Sequence, residues 1–161
     1  MKSKFIYLFL ALLLPGCIFV FLKLFGRNEF AVAPLYQSAP PTVTGCSNVT
    51  LPYSVPDTVL STLNFGRDKL VVVIFDETTV DGRAQIDRVT DEIKDDAVHI
   101  IHHTSLDVKT SSWKRCTFFL AEPRNTVLVD AQGKIRGEYT MSDREEVDRL
   151  LTEITIILKK Y

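Results

Sequence analysis

Residues 70–82 read LVVVIFDETTVDG, and this stretch decides the fold class. Its first six residues are aliphatic or aromatic, and most are β-branched, which predicts a strand buried on both faces. A polar turn follows, and residues 81–95 then carry apolar side chains at the spacing of one helix face. The junction therefore predicts an α/β domain. No cysteine lies between Cys46 and Cys116, so the turn carries no thiol.

The later segments continue the alternation of strand and helix. Strands are predicted at 98–102, 117–120, 126–130 and 135–140, with a turn or short helix at 105–114. The last two strands flank a Gly-containing turn and form a hairpin. Ser142 and Glu145 match a capping box before a terminal helix whose apolar residues share one face. A βαβ unit followed by a hairpin and a helix predicts a thioredoxin-like α/β sandwich with a central mixed sheet.

An apolar run without charge covers residues 5–22, between Lys2 and Lys4 on one side and Lys23 on the other. As a helix, this run would be roughly 27 Å long, which is close to the thickness of a bilayer's hydrocarbon core. We therefore expect one uncleaved transmembrane helix, with a cleaved signal or a lipoprotein processing site at 14–17 as alternatives. The basic N-terminus favours a cytoplasmic start, so a single pass through the inner (cytoplasmic) membrane would leave the C-terminal domain in the periplasm.

Three segments follow from these patterns. Residues 1–27 form the expected anchor, and residues 28–57 form a Pro-rich extracytoplasmic linker that is extended or irregular rather than helical, with partial packing on the domain as an alternative to a free spacer. Residues 58–161 form the folded domain. The formal net charge is −1, with acidic and basic residues interspersed, so the chain lacks the basic face that nucleic acid requires.

Several segments resemble the SCO/SenC group as it occurs in Bacteroidetes-type bacteria. The matching segments are residues 28–30, 52–57, 127–139 and 140–147, and the block VLVDAQGKIRGEY at 127–139 is the most specific. The resemblance implies a membrane-anchored thioredoxin-fold protein that binds copper and assists assembly of the copper centre of cytochrome oxidase, or acts as a thiol–disulfide reductant in that process. It also implies that the respiratory oxidase or its assembly factors are partners.

The chain departs from that group at the copper site. The family places a Cys-x-x-x-Cys motif after the first buried strand, where Thr78 and Gly82 stand here, and a histidine near the position of Glu122 and Pro123. Copper(I) prefers soft thiolate ligands, and thiol–disulfide exchange needs a thiolate. We therefore predict no cofactor and no catalytic residue at these positions, and the motif of a thiol–disulfide enzyme is absent. If Pro123 is cis, the segment at Glu122 and Pro123 could keep a peptide-docking groove.

Other residue clusters leave alternatives open. Cys46 and Cys116 could be a redox-active or metal-binding pair, a structural disulfide, or two free thiols. The histidines at 99, 102 and 103 lie on or after one strand, where neighbouring residues face opposite sides, so they favour an exposed strand end over a metal site. Asp76 and Glu77 end the buried strand and could handle protons or support the turn.

Three functions remain from the sequence. The first is a non-catalytic, membrane-anchored accessory protein that binds partners during oxidase assembly. The second is a copper or thiol-redox factor that uses Cys46 and Cys116. The third is a structural domain of the cell envelope.

Overall fold

A computed structural model describes residues 2–25, 31–41, 43, 45–46, 49–63, 70–103 and 108–160. The chain forms two compact units, Met1–Ala31 and Val32–Tyr161. The first unit contains helix α1, Lys2–Phe25, with Pro15 inside it. Within the described residues, no helix has both the length and the apolar character needed to cross a membrane.

The second unit is a mixed four-stranded sheet with helices. Its elements are α2 Asp57–Thr62, β1 Leu70–Phe75, α3 Val80–Glu92, β2 Val98–His103, α4 Val108–Cys116, β3 Thr126–Val129, β4 Ile135–Tyr139 and α5 Arg144–Lys160. The strand order is β2-β1-β3-β4. Strand β1 pairs in parallel with β2 and antiparallel with β3, and β3 pairs antiparallel with β4. This arrangement confirms the predicted α/β class with a mixed sheet, and it is consistent with a thioredoxin-like fold.

The sheet separates two apolar clusters. Alternate residues of β1 face opposite sides, so Val71, Val73 and Phe75 enter one cluster while Val72 and Ile74 enter the other. Every residue of β1 is buried, as its uninterrupted apolar sequence predicts. Helix α5 contributes its predicted apolar face to the second cluster, where its buried residues are Val147, Leu150, Ile154 and Ile157.

The segment predicted as a linker packs on the second unit. The Leu35 amide donates to the Ile135 carbonyl at 2.7 Å, and the Val55 amide donates to the Gly133 carbonyl at 2.8 Å. The buried Tyr53 hydroxyl donates to the Thr117 carbonyl at 2.8 Å. We call residues 32–56 the strap, because its described residues lie along β4 and over the first cluster rather than forming a free spacer.

The β3–β4 turn holds a buried ion pair. Arg136 Nε lies 2.7 Å from Asp130 Oδ2, with 11% and 2% of the two side chains exposed. Asp130 Oδ1 also accepts the amides of Gln132 and Lys134, each at 2.9 Å. Gly133 has a φ of +75°, the left-handed conformation predicted for the turn glycine. Since Arg136 Nη1 also donates to the strap at 2.7 Å, the ion pair joins the hairpin to the strap.

Two local predictions are wrong. Residues 117–120 are buried but form no strand, because the chain turns out of α4 there and Phe119 has a φ of +57°. The predicted capping box at Ser142 is also wrong, since α5 begins at Arg144 and the Asp143 carboxylate accepts the Glu145 amide at 2.9 Å.

Candidate functional site

The site predicted from the sequence lies where β1 ends and α3 begins. Strand β1 stops at Phe75, and Thr79 is the N-cap of α3. Thr78 is exposed in the connecting turn, whereas Gly82 is buried in the first turn of the helix. Asp76 has a φ of +52°, a conformation that L-residues adopt infrequently and that Asp tolerates better than most. The backbone therefore turns sharply into the helix at this junction.

Glu77 is the central side chain of the junction. Its Oε1 accepts the Thr79 amide at 2.8 Å and the Thr79 hydroxyl at 2.6 Å. Its Oε2 accepts the Asn125 side-chain amide at 2.9 Å. The Thr79 hydroxyl in turn accepts the Gly82 amide at 3.0 Å, as an N-cap side chain does. We call Glu77, Thr79, Gly82 and Asn125 the junction network.

The network keeps the Glu77 carboxylate ionised. Partial burial acts to raise the pKa of Glu77, but hydrogen bonds from Thr79, Asn125 and the Thr78 backbone outweigh it and hold the pKa below its usual value. A carboxylate of this kind has its oxygens occupied by donors and is a weak base at neutral pH. Glu77 is therefore suited to holding the turn and the start of α3. Of the two roles that the sequence allowed, proton handling and support of the turn, this is the second.

Gly82 is part of the same arrangement because it lacks a side chain. A Cβ placed at this position would overlap the Glu77 carboxylate. The resemblance assigns a second cysteine to this position, and the absence of a side chain at Gly82 makes room for the Glu77 carboxylate. Thr78, at the other assigned position, is exposed and offers a hydroxyl instead of a thiol.

Asn125 joins the junction network to the ends of strands β1, β3 and β4. Its Oδ1 accepts the Met141 amide at 2.9 Å, and its backbone amide donates to the Tyr139 carbonyl at 3.0 Å. Its own carbonyl accepts the Phe75 amide at 2.7 Å. The backbone and the side chain of this buried residue together fix the end of β1, the start of β3 and the end of β4 relative to Glu77.

The segment at Glu122 and Pro123, predicted to keep a groove, lies beside the junction network. Residues 121–124 are exposed, and the peptide bond between Glu122 and Pro123 is cis. Lys114 of α4 lies 2.8 Å from Glu122 Oε1 and 4.0 Å from Asp76 Oδ2. Lys114 is 16% exposed and Glu122 80% exposed, so the pair spans from the body of the domain to its surface. Lys114 therefore links α4 to both loops of the junction.

An apolar side chain stands on the surface at the same helix start. Val80, the first residue of α3, is 83% exposed. Isolated exposed apolar residues are common, but this one directly follows the N-cap residue of the junction network. The exposed residues next to the junction network in the chain are therefore the apolar Val80 and the loop at 121–124.

The three histidines do not converge. His99 and His102 are exposed, whereas His103 lies on the opposite face from His102 and is partly buried. The His103 ring stacks on Phe75 with centroids 5.9 Å apart, and it meets Trp113 edge-on at 6.2 Å. Its Nε2 is buried with no hydrogen-bond partner in the described part of the chain. The described residues contain no group of three or more His, Cys, Asp or Glu that could hold a metal ion.

Cys46 and Cys116 are joined in a disulfide, with Cα atoms 5.3 Å apart. Cys46 belongs to the strap and Cys116 is the last residue of α4, so the bond connects two segments separated by 70 positions. Of the alternatives left open by the sequence, the structure contains the disulfide. Cys17 is a free, exposed cysteine in the first unit.

Sequence reasoning located the junction but missed three of the residues that build it. Thr79 could have been recognised as an N-cap, since Thr before a helical pattern is a known start signal. Asn125 and Lys114 gave no local signal, because each acts on the junction from a distant segment. Neither a protein-family model nor a curated protein matches this chain.

Proposed function

We propose that this chain is a membrane-anchored protein with a thioredoxin-like domain, related to the SCO/SenC oxidase assembly factors, that acts by binding a partner and not by thiol or copper chemistry. The observation that carries this proposal is the junction network. The fold position where the resemblance puts the reactive cysteines holds a carboxylate with three hydrogen-bond donors on it.

The chemistry of these side chains supports partner binding. Thr78 and Gly82 supply neither a thiolate for exchange nor a soft ligand for copper(I). Glu77 already receives donors from the chain itself, so it has little capacity left to ligate a metal or to accept a substrate proton. What remains for contact is the surface beside the network, namely Val80 and residues 121–124.

The anchor and the location belong to the same proposal. Residues 5–22 carry no charged side chain and are flanked by lysines, which supports a single pass through the inner membrane with the second unit in the periplasm. The disulfide supports that location, since such bonds persist in oxidising compartments. Resistance of the full chain to extraction from membranes by alkaline carbonate tests the anchor.

Complementation tests the respiratory function. In a strain that lacks the gene, we expect cytochrome oxidase activity of isolated membranes to fall and the wild-type chain to restore it. The Cys46→Ser/Cys116→Ser variant should also restore it if no thiol is needed. Val80→Asp should not restore it, whereas Thr155→Asp, an exposed change on α5, serves as the matched control. Unchanged oxidase activity in the deletion strain would exclude the respiratory role and favour a structural envelope domain.

The disulfide favours one second candidate, a copper or thiol-redox factor that uses Cys46 and Cys116. Reduction of this bond would leave two thiols side by side, and paired thiolates suit copper(I). Titration of the reduced full chain with copper(I) distinguishes the candidates. Tight binding of one equivalent that is lost in Cys46→Ser but kept in Cys17→Ser would favour this second function over partner binding alone.

A further inference from the structure

The strap contains a loop that is closed at its base and loosely attached in its middle. At the base, the Tyr53 amide donates to the Tyr36 carbonyl at 3.0 Å, and both rings pack edge-on against Phe119. Within the described part of the second unit, no backbone hydrogen bond joins positions 38–50 to another segment. The two apolar residues that support them, Val43 and Val49, are only partly buried.

The disulfide is the covalent attachment of that loop. Cys46 lies in its middle and bonds to Cys116 at the end of α4. Both cysteine residues are partly exposed. The bond therefore closes the loop over the end of α4 near the surface of the domain.

The last five residues of helix α4 are lightly packed. None of its described side chains, at positions 112–116, is fully buried. Trp113 packs against the first cluster, Lys114 bridges to Asp76 and Glu122, and Cys116 carries the disulfide. A change at Cys116 is thus only two residues from the lysine that reaches the junction.

We propose that the Cys46–Cys116 disulfide is a redox-controlled latch that holds the strap loop on α4, and that its reduction releases the loop and loosens the Lys114 bridge. This goes beyond the proposed function and does not depend on it, since the latch can operate whatever the partner is. The reductant is a dithiol. One of its thiolates attacks the sulfur of Cys46 or Cys116, and the other cysteine sulfur leaves as a thiolate and takes up a proton.

The second thiolate of the reductant then displaces the first cysteine sulfur, which is also protonated. Two electrons and two protons thus pass to the protein, which holds two thiols, and the reductant becomes a disulfide. The released loop keeps its base at Tyr36 and Tyr53. We expect the sheet to keep both apolar clusters, since β1, β3 and β4 are largely buried and neither cysteine lies on a strand.

Hydrogen exchange of the full chain, read by mass spectrometry with and without dithiothreitol, tests the latch. Local opening should raise exchange at 108–116, and the rate of proteinase K cleavage within 37–52, roughly tenfold each, while exchange in β1 and β3 stays within about twofold. The Cys46→Ser/Cys116→Ser variant should show the same pattern without reductant. Cys17→Ser should behave as the wild-type chain does, because it leaves the latch intact.

Acylation of Lys114 by an amine-reactive ester tests the link to the junction. Its rate should rise about fivefold on reduction, with Lys134 in the hairpin as the internal reference. Unchanged cleavage within 37–52 after reduction would show that Val43 and Val49 hold the loop without the bond. Loss of protection in β1 and β3 together with the loop would make the disulfide a support of the whole fold, and an unchanged Lys114 rate would remove the link. Each of these three results overturns the proposal.

Discussion

The change Gly82→Ala tests the junction network most directly. The added methyl group would occupy the space of the Glu77 carboxylate, so that side chain must move away. Movement of a flexible side chain costs little by itself. The cost arises because the carboxylate loses the hydrogen bonds from the Thr79 amide, the Thr79 hydroxyl and Asn125.

The magnitude follows from those bonds and from the helix. Each hydrogen bond contributes about 1 kcal/mol here, less than is usual for a charged acceptor, because Glu77 is partly exposed and water can replace the donors. The loss is therefore about 3 kcal/mol. Alanine is better than glycine in a helix by about 1 kcal/mol. We expect Gly82→Ala to lower the free energy of unfolding by about 2 kcal/mol.

A double-mutant cycle with Glu77→Ala should reverse the sign of the effect of Gly82→Ala on the free energy of unfolding. In a Glu77→Ala background the carboxylate is gone, so only the helix preference remains and Gly82→Ala should raise the free energy of unfolding by about 1 kcal/mol. Urea denaturation of the full chain in a mild detergent measures both effects. Trp113 is the single tryptophan and reports through its fluorescence. If Gly82→Ala is neutral or stabilising while Glu77 is present, the carboxylate does not occupy the helix start.

Three further predictions concern charges and buried hydrogen bonds. Arg136→Met leaves Asp130 buried without its partner and should lower the free energy of unfolding by about 3–5 kcal/mol, and Asp130→Asn added to it should recover part of the loss in thermal melts. Burial raises the pKa of Tyr53 to about 12, so its hydroxyl remains a donor to Thr117 at any ordinary pH. Tyr53→Phe should accordingly cost about 1–2 kcal/mol in urea denaturation, with little dependence on pH. The pKa of Glu77 in the folded chain lies below its unfolded value, so the contribution of Glu77 to the free energy of unfolding is present above about pH 4.5 and is lost as pH falls through the folded pKa. Glu77→Gln should therefore make the free energy of unfolding depend less on pH on the acid side. An unchanged slope would contradict this prediction.

The sequence predicted those parts of the fold whose signal is local. The six apolar residues of β1 and the one-sided apolar face of α5 each predicted an element that the structure contains. Gly133 marked the hairpin turn because its positive φ suits glycine. Residues 117–120 misled the prediction because an apolar run that is buried in an irregular segment has the same composition as a strand.

The site was less predictable because its contacts are long-range. Asn125 reaches Glu77 across 48 positions, and Tyr36 reaches Glu138 across 102. No periodicity or spacing in one sequence encodes such pairs. The prolines correctly predicted that the described residues of the strap are not helical, but the packing of the strap depends on where Tyr36 and Tyr53 meet Phe119. Only the three-dimensional arrangement of those rings reveals it.

The chemistry of Glu77 limits what the junction can do. A general base works best when its pKa lies near the operating pH and its oxygens face the substrate. Glu77 has the opposite properties, since hydrogen bonds lower its pKa and direct its oxygens towards Thr79 and Asn125. Charge at this position therefore stabilises the turn and the start of α3 instead of driving a reaction. For the proposed partner-binding function, a surface fixed in this way would need no ordering of the backbone when a partner binds, and that preorganisation would favour recognition through Val80 and the loop at 121–124.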